Sequence, residues 1–363
     1  MTLVERSQEW LQAHLLRRVT TRRLPFSGSF ELTWRCNFRC IHCYLQELRA
    51  GGPELHTEAV LRLLEELADT GCIGLAFTGG EPLLRADFRE ILAQASHSGF
   101  LVALFTNGSR VDAAWADFLA THPPRSIEVS LYGASEDTYE RITGARENFR
   151  RTVTGINHLL HRDLPVRLKA VLLEPLADEI GSMRALAKSL GLTLHVDARV
   201  DATLAGDRSP VRLRVDPRRA AQIELDDPAR VSRLVRDGQR ARARVGEYAQ
   251  QACGAGQWSF HLDPAGRLLP CMLVREPAID AATLGFRAAW EELGTYPRVA
   301  YPADSACARC EMQHLCSHCP GADLVDGAPL GLQACFDCEL AQLRAQVLEQ
   351  TLADQRNPAD SDE

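Results

Sequence analysis

The chain has 363 residues, of which 45% are hydrophobic and 25% charged, and its formal net charge is −7. This length suits one large α/β barrel or a barrel with a smaller second unit, and the acidic balance offers no basic field for binding nucleic acid. The first 23 residues lack the apolar stretch of a signal peptide, and no segment has 18 uninterrupted apolar residues. We therefore expect a cytoplasmic protein with neither nucleic acid nor a membrane as partner.

Twelve cysteines in such a chain favour bound metal over disulfides, because the cytoplasm keeps thiols reduced. Eleven of them fall into two groups, at residues 36–43 and 253–338. Cys72 stands apart and is predicted to be a small buried hydrophobe.

The spacing of apolar residues near the N-terminus predicts an amphipathic helix over residues 4–18. Its apolar face would either pack against the rest of the protein or dock a partner. Residues 29–34 are rich in aromatic and β-favouring side chains and predict a strand. Its C-terminal end delivers Cys36, Cys40 and Cys43, and α/β barrels keep their chemistry at that end of their strands.

The spacing C-x3-C-x2-C supplies three thiolates, whereas a 4Fe-4S cluster has four irons to ligate. One iron would stay open for a small molecule. The alternative is zinc, which normally takes four protein ligands with paired C-x2-C spacing; here the fourth candidate is His42, wedged between two cysteines.

Strands and helices then alternate along the chain. After an apolar run at helical spacing from Val60 to Leu67, strands are predicted at residues 74–77, 101–105, 127–131, 166–172 and 193–196, and helices at 87–97, 112–120, 135–142, 149–161 and 178–190. Six strands separated by helices predict a parallel sheet curled into a partial (β/α)6 TIM-type barrel.

Several strand ends carry polar or glycine residues. Gly79, Gly80 and Glu81 follow the second strand; Asn107, Ser130 and Lys169 lie at or near the ends of later ones. Each is a ligand candidate, but Asn-Gly and Gly-Gly pairs also serve as ordinary turns.

The second cysteine group follows a connector with helices, which contains six arginines between Arg230 and Arg244. These arginines form a solvated helix face or bind an acidic peptide. Eight thiols then come at Cys253, Cys271, Cys307, Cys310, Cys316, Cys319, Cys335 and Cys338. They match two 4Fe-4S clusters or two zinc sites, and a hairpin turning at residues 263–266 lies among them. A last helix is predicted at 339–350, followed by a disordered acidic tail at 354–363.

The cysteine loop together with Thr78-Gly-Gly-Glu-Pro82 resembles the two hallmark motifs of the radical S-adenosylmethionine (SAM) superfamily. The resemblance implies that Cys36, Cys40 and Cys43 hold a 4Fe-4S cluster that binds SAM. It also implies that Gly79, Gly80 and Glu81 bind the amino group of its methionine part. Asn107, Ser130 and Lys169 would contact its ribose, adenine or carboxylate.

Residues 253–338 resemble the SPASM domain, an extension that carries auxiliary clusters. By that likeness Cys253, Cys271 and Cys319 bind the first auxiliary cluster, and the second takes Cys307, Cys310, Cys316 and Cys338. The usual C-x3-C has become Cys316-Ser-His-Cys319, and the extra Cys335 is proposed to complete the first cluster. Sulfatase maturases carry a cysteine and an aspartate where this chain has Ser259 and Met272, which disfavours that oxidation.

These likenesses predict an N-terminal helical segment (1–28), a radical SAM partial barrel (29–200), a helical connector (201–250), a small cysteine-rich auxiliary-cluster domain (251–340), and a helix with a polar tail (341–363). The implied function is reductive cleavage of SAM to a 5′-deoxyadenosyl radical that installs a thioether or carbon-carbon crosslink in a ribosomally made precursor peptide. Expected partners are that peptide, a separate leader-binding protein, and flavodoxin or ferredoxin as electron donor. The alternatives are oxidation of a sugar alcohol or tetrapyrrole precursor, and a zinc-stabilised binding module, against which Glu81 and the three-thiolate loop argue.

Overall fold

The computed structural model describes residue 15 and residues 17–242, 253–332 and 335–356. Residues 17–21 are helical, and most of the helix predicted over residues 4–18 lies outside the described residues. None of the described helices is long and apolar enough to cross a membrane.

A single sheet of nine strands organises the described chain, in the order β6-β5-β4-β3-β2-β1-β7-β8-β9. Its first six strands are parallel and confirm the predicted alternation: β1 (Ser27–Thr33), β2 (Gly74–Gly79), β3 (Leu101–Thr106), β4 (Ser126–Ser130), β5 (Val166–Val171) and β6 (Leu194–Asp197). The helices between them are α1 (Thr57–Asp69), α2 (Phe88–His97), α3 (Ala113–Thr121), α4 (Glu136–Thr143), α5 (Asn148–Leu160) and α6 (Ile180–Ser189).

Alternation along each strand separates an apolar outer face from a polar inner face. On β1, for example, Phe30 and Leu32 join the core against the helices, and Glu31 lies on the opposite face. Helix α1 buries one apolar stripe in this core, formed by Val60, Leu63, Leu64 and Leu67. The inner faces of the strands are therefore left for polar side chains, which line the space in front of the cysteine loop.

Beyond β6 the chain forms α7 (Pro217–Leu225) and α8 (Pro228–Arg242). The next described strands lie at the opposite edge of the sheet, beyond β1. There β7 (Ser259–Leu262) pairs parallel with β1, and β8 (Arg267–Leu269) and β9 (Ile279–Asp280) follow antiparallel. The predicted hairpin is thus confirmed, and it extends the barrel sheet. Gly28 permits this pairing, because a Cβ there would lie 2.2 Å from the Phe260 ring.

The remaining helices are α9 (Ala281–Leu284), α10 (Phe286–Leu293), α11 (Pro320–Asp326) and α12 (Cys335–Arg356). The predicted bounds of the last helix, 339–350, were wrong at both ends. It runs to Arg356 and includes the first residues of the predicted disordered tail, because Leu340, Ala341 and Leu348 anchor it in buried positions and good helix formers follow. Residues 357–363 lie outside the described part.

Candidate active site

The cysteine loop (residues 34–44) follows β1 and is held by main-chain contacts with the end of α4. The Arg39 N–H donates to Thr143 O at 2.6 Å, and the Ile41 N–H donates to Ile142 O at 3.0 Å. Gly144 closes α4 in the left-handed region at φ 68°, where it faces Arg39. The loop is therefore fixed by hydrogen bonds independent of any bound group.

The three thiols of this loop lie together in a low-dielectric pocket. Burial raises the pKa of Cys36 to about 11, raises that of Cys40 well above its ordinary value, and raises that of Cys43. Each thiolate would also repel a neighbouring one, which raises the pKa of Cys36 and Cys40 further. Three thiolates can persist here only beside strong positive charge, which iron supplies, so the residues fit a cluster.

The Gly-Gly-Glu turn after β2 is joined directly to the cysteine loop. Gly80 N–H donates to Thr33 O at 2.7 Å, and Glu81 N–H donates to Arg35 O at 2.9 Å. A Cβ on Gly80 would lie 2.2 Å from Arg35 O. Glycine is required because the two main chains approach too closely for any side chain.

Glu81 is fully buried beside this contact. Its carboxylate accepts hydrogen bonds from Thr106 Oγ1 (2.8 Å), Asn107 N (2.8 Å) and Leu83 N (3.2 Å). Burial nonetheless raises its pKa to about 7, against the lowering effect of these hydrogen bonds. A cationic group arriving at Glu81 would hold it ionised.

Asn107 also contacts the cysteine loop. Its Nδ2 donates to Asn37 Oδ1 at 3.0 Å and lies 4.0 Å from Cys36 Sγ, while Asn37 Nδ2 donates to Ser109 Oγ at 2.9 Å. The end of β3 is therefore tied to the loop through side chains as well as through Glu81.

Ser130 and Lys169 lie side by side in the register of β4 and β5. Ser130 lies near the half-buried Tyr132, whose ring centre lies 5.0 Å from that of His42 in the cysteine loop. Lys169 Nζ lies 3.2 Å from Glu128 Oε2 and 4.6 Å from the centre of the Phe105 ring. The structure thus links Ser130 to the loop and gives Lys169 an acidic partner on the inner face of the sheet.

The sequence did not single out Glu31, which braces both ends of the cysteine loop. Its fully buried carboxylate accepts from Trp34 Nε1 at 3.1 Å and from Tyr44 Oη at 3.1 Å. His261 Nε2 at 3.3 Å and Arg275 at 3.6 Å face the same group. Burial raises the pKa of Glu31, but His261, Arg275 and Trp34 together bring it down to about 2. A lone acid in an apolar strand was the available signal.

The seven described cysteines of the second group form two sets. Cys253 and Cys319 raise the pKa of Cys271 after burial, so these three lie close. Cys307, Cys310, Cys316 and Cys338 affect one another in the same way. The Cys335 side chain lies outside the described residues. Within the described ranges, no three His, Cys, Asp or Glu side chains converge on a single metal ion.

Arg199, just after β6, contacts the first of these sets. Its NH2 donates to Cys319 Sγ at 3.4 Å and its NH1 to Ser317 O at 3.2 Å. Asp201 accepts two bonds from its Nε, at 2.9 and 3.1 Å, and holds the guanidinium in place. A fixed positive charge therefore lies against the Cys319 sulfur.

Comparison with curated proteins gives distant relatives over most of the chain. It is 25% identical over 315 residues to the AdoMet-dependent heme synthase of Methanosarcina barkeri, covering 80% of this chain and 90% of that protein. It is 26% identical over 327 residues to mycofactocin maturase MftC of Mycobacterium ulcerans, covering 84% and 86%. It is 26% identical over 262 residues to the PqqA peptide cyclase of Bradyrhizobium diazoefficiens, covering 68% and 67%.

Solved structures share the fold. Streptococcus suis SuiB bound to precursor peptide SuiA superposes with a TM-score of 0.69 at 15% identity, covering 93% of this chain and 83% of that one. Native anSMEcpe with bound AdoMet gives 0.66 at 15% identity, covering 92% and 100%. The profile of the family described as Radical SAM superfamily matches residues 30–180, which include the cysteine loop and the Gly-Gly-Glu turn. Residues 30–180 of this chain therefore form a radical SAM domain.

Proposed function

We propose that the protein is a radical SAM maturase that oxidatively modifies a ribosomally made precursor peptide, by forming a thioether or carbon-carbon crosslink. The observation that carries this proposal is the direct joining of the three-thiol loop to Glu81, within a chain whose relatives include two named for peptide substrates or maturation. This assembly suits reductive use of SAM: three thiols that would hold a 4Fe-4S cluster lie beside a buried acid that can face an ammonium group.

In this proposal Cys36, Cys40 and Cys43 hold a 4Fe-4S cluster. Bound with SAM, that group supplies reductive cleavage to methionine and a 5′-deoxyadenosyl radical. Glu81, with Gly79 and Gly80 giving access, binds the amino group of SAM. Asn107, Ser130 and Lys169 contact the rest of the cofactor. Because these side chains are fixed by neighbours before any ligand binds, orientation is built into the fold.

The two further cysteine sets suit two auxiliary 4Fe-4S clusters, with Cys335 as a ligand of the first. Such clusters could take the electron that a substrate radical must lose when a new bond forms. The domain limits of the sequence analysis, with an auxiliary-cluster unit at 251–340, remain part of this proposal. We also propose a cytoplasmic enzyme, served by flavodoxin or ferredoxin and by a separate leader-binding protein, because free thiols and iron-sulfur clusters suit a reducing compartment.

A second candidate function is oxidation of a small molecule such as a tetrapyrrole precursor. It is favoured by the similarity to the heme synthase of M. barkeri, which is as extensive as the similarity to the maturases. The two candidates share the chemistry at the cysteine loop, so they must be separated by substrate.

The first experiment tests the radical chemistry. Replacing Cys36, Cys40 and Cys43 with Ala should abolish 5′-deoxyadenosine formation by anaerobic, dithionite-reduced protein. Cys72→Ala is the matched control, because Cys72 is buried in the main core and lies outside both cysteine groups. Unchanged cleavage in the triple variant would reject the assignment.

The second experiment counts metal. Reconstituted protein should contain about twelve irons, the sum of three cubanes. About four irons with stoichiometric zinc would reject the auxiliary clusters while leaving the first one in place.

The third experiment identifies the substrate class. The protein is co-expressed with each short peptide encoded beside its gene, and the masses of the peptides are then measured by mass spectrometry. A loss of two hydrogens per crosslink supports the proposal. Unmodified peptides, together with turnover of a tetrapyrrole or sugar by the same preparation, would favour the second candidate.

A further inference from the structure

Strand β6 ends the parallel part of the sheet, and in the described part of the chain its outer edge is open. Among the described residues it pairs with β5 alone. Leu172 N–H donates to Asp197 O at 2.7 Å, so Asp197 directs its main-chain groups at β5. Alternate residues of a parallel strand face opposite neighbours, and the main-chain groups of Leu194 and Val196 are therefore directed to the open side.

A cleft of about 390 Å³ lies along this edge, between β6 and α8. Leu194 and His195 line it from the strand, and Arg233 and Arg236 line it from the helix. Arg233 NH2 lies 3.3 Å from His195 Nδ1, and its Nε is buried without a hydrogen-bond partner in the described residues. Arg236 is exposed at the rim. The edge thus has main-chain groups on one side and guanidinium groups on the other.

The charge around the cleft is mainly positive. Burial, followed by Arg233, lowers the pKa of His195, and Arg230 and Lys169 lower it further. Two acids are nearby: Asp197, which accepts from Arg199 N–H, and Asp227, which caps the start of α8 by accepting from Ala229 N–H. Both are thus engaged with the main chain, and the guanidinium groups are left to a ligand.

We propose that an acidic segment of the substrate peptide docks in extended form as an added strand on β6, with one of its carboxylates bound by Arg233 and Arg236. This inference rests on the proposed function and names the substrate feature that this edge recognises. Main-chain bonds to β6 provide affinity, and the arginines provide selection for acid. A free carboxylate or phosphate would use the arginines alone and leave the strand edge without a role.

The position of the β6 edge would also bring a docked peptide close to the active site. On the inner face of the sheet, His195 is in register with Lys169, and Lys169 is in register with Ser130. A chain docked on β6 therefore runs beside the residue layer that leads to the cysteine loop.

The test uses the full-length chain and two fluorescein-labelled peptides, Thr-Glu-Val-Glu-Val-Thr and its twin with Gln in place of Glu. Fluorescence polarisation should give about tenfold tighter binding of the acidic peptide, a difference of about 1.4 kcal/mol. The double variant Arg233→Gln/Arg236→Gln should lose this preference. Arg125→Gln, which changes an exposed arginine just before β4, should keep it.

Strand addition is tested separately at Val196. Val196→Pro removes a main-chain donor on the open side and spares the ladder with β5, because Pro is tolerated on an edge strand whose N–H faces outward. Val196→Ala makes a comparable change in side-chain packing and keeps the donor. The Pro variant should bind the acidic peptide at least about tenfold more weakly than the Ala variant. In the unchanged protein, the peptide should slow hydrogen exchange at residues 193–197.

Equal binding of the two peptides, or an acid preference that survives in the double arginine variant, overturns the proposal. So does equal binding by the Pro and Ala variants. The proposed function fails by a different result: acidic-peptide binding with no modified peptide in co-expression. Conversely, if a precursor peptide is modified with the same KM by the double arginine variant, the docking surface alone is refuted.

Discussion

Replacement of Glu81 by Gln should change how stability depends on pH. The Glu81 carboxyl is fully buried, and burial raises its pKa from 4.5 to about 7. Between these values the folded chain keeps a proton that the unfolded chain has released. The free energy of unfolding therefore falls as pH rises through this window, and a Gln at this position removes that dependence.

The magnitude follows from the size of the shift. Each pKa unit corresponds to about 1.36 kcal/mol, so between pH 5 and pH 8 the unchanged protein should lose about 2 to 3 kcal/mol more than Glu81→Gln does. A second effect is independent of pH. The amide NH2 of Gln cannot accept a hydrogen bond, so one donor among Thr106, Asn107 and Leu83 loses its partner, at a cost of about 1 to 3 kcal/mol.

The assay is urea unfolding of the iron-free chain, with thiols kept reduced, at pH 5 and pH 8. Iron-free protein is used because a bound cationic group at this site would change the titration of Glu81. Glu65→Gln, at an exposed position of α1, is the control for loss of one acidic side chain. If Glu81→Gln and the unchanged chain lose stability in parallel over this pH range, the argument from burial is refuted.

Three further substitutions test other contacts. Gly80→Ala puts a Cβ 2.2 Å from a carbonyl of the cysteine loop and should lower both the free energy of unfolding, by about 1 to 3 kcal/mol, and iron retention. Arg344→Met breaks the buried ion pair with Glu224 (2.7 Å) and leaves this buried carboxylate with the looser contact to Arg230 (3.6 Å), so it should cost about 3 kcal/mol in urea unfolding. Arg199→Gln removes a positive donor from Cys319 Sγ and should lower the midpoint potential of a cluster bound there, measured by EPR-monitored titration at unchanged iron content.

Matched variants make these outcomes specific. Gly181→Ala in α6 meets no heavy atom within 4 Å and should be neutral or stabilising. Arg218→Met breaks an exposed pair with Glu339 and should cost less than about 1 kcal/mol. Arg199→Lys keeps the positive charge and should therefore show a smaller fall in the midpoint potential than Arg199→Gln does. Losses in these controls as large as in the test variants would contradict the structural reasoning.

The sequence was sufficient for the parallel strands because each is a short stretch of apolar residues, either continuous or alternating with polar ones, bounded by glycine, proline or turn residues. Leu101–Thr106 and Val166–Val171 form close to where this pattern predicts them. The cysteine loop and the Gly-Gly-Glu turn were also identifiable, since their residues resemble the two hallmark motifs of the radical SAM superfamily. These are local properties, readable over a few residues.

Non-local choices were harder to read. The hairpin was predicted, but the four residues of β7 do not indicate that it pairs with β1. This pairing depends on Gly28, more than 200 positions earlier, because the missing side chain there leaves room for the Phe260 ring. Glu31 is visible in the sequence as a lone acid in an apolar strand, but nothing there indicates His261 as its neighbour, because only the fold brings the two buried side chains to 3.3 Å.

The pairing of β7 with β1 bears on how the two cysteine groups are held relative to each other. Glu31 lies at this junction: Trp34 and Tyr44 bind it from the cysteine loop, and His261 and Arg275 face it from the hairpin region that also carries Cys271. A continuous hydrogen-bonded sheet and a buried ionised carboxylate resist sliding more strongly than a docked domain surface does. The separation of the cysteine loop and Cys271 is therefore set by the strand register, and changes at Glu31 should disturb both regions together.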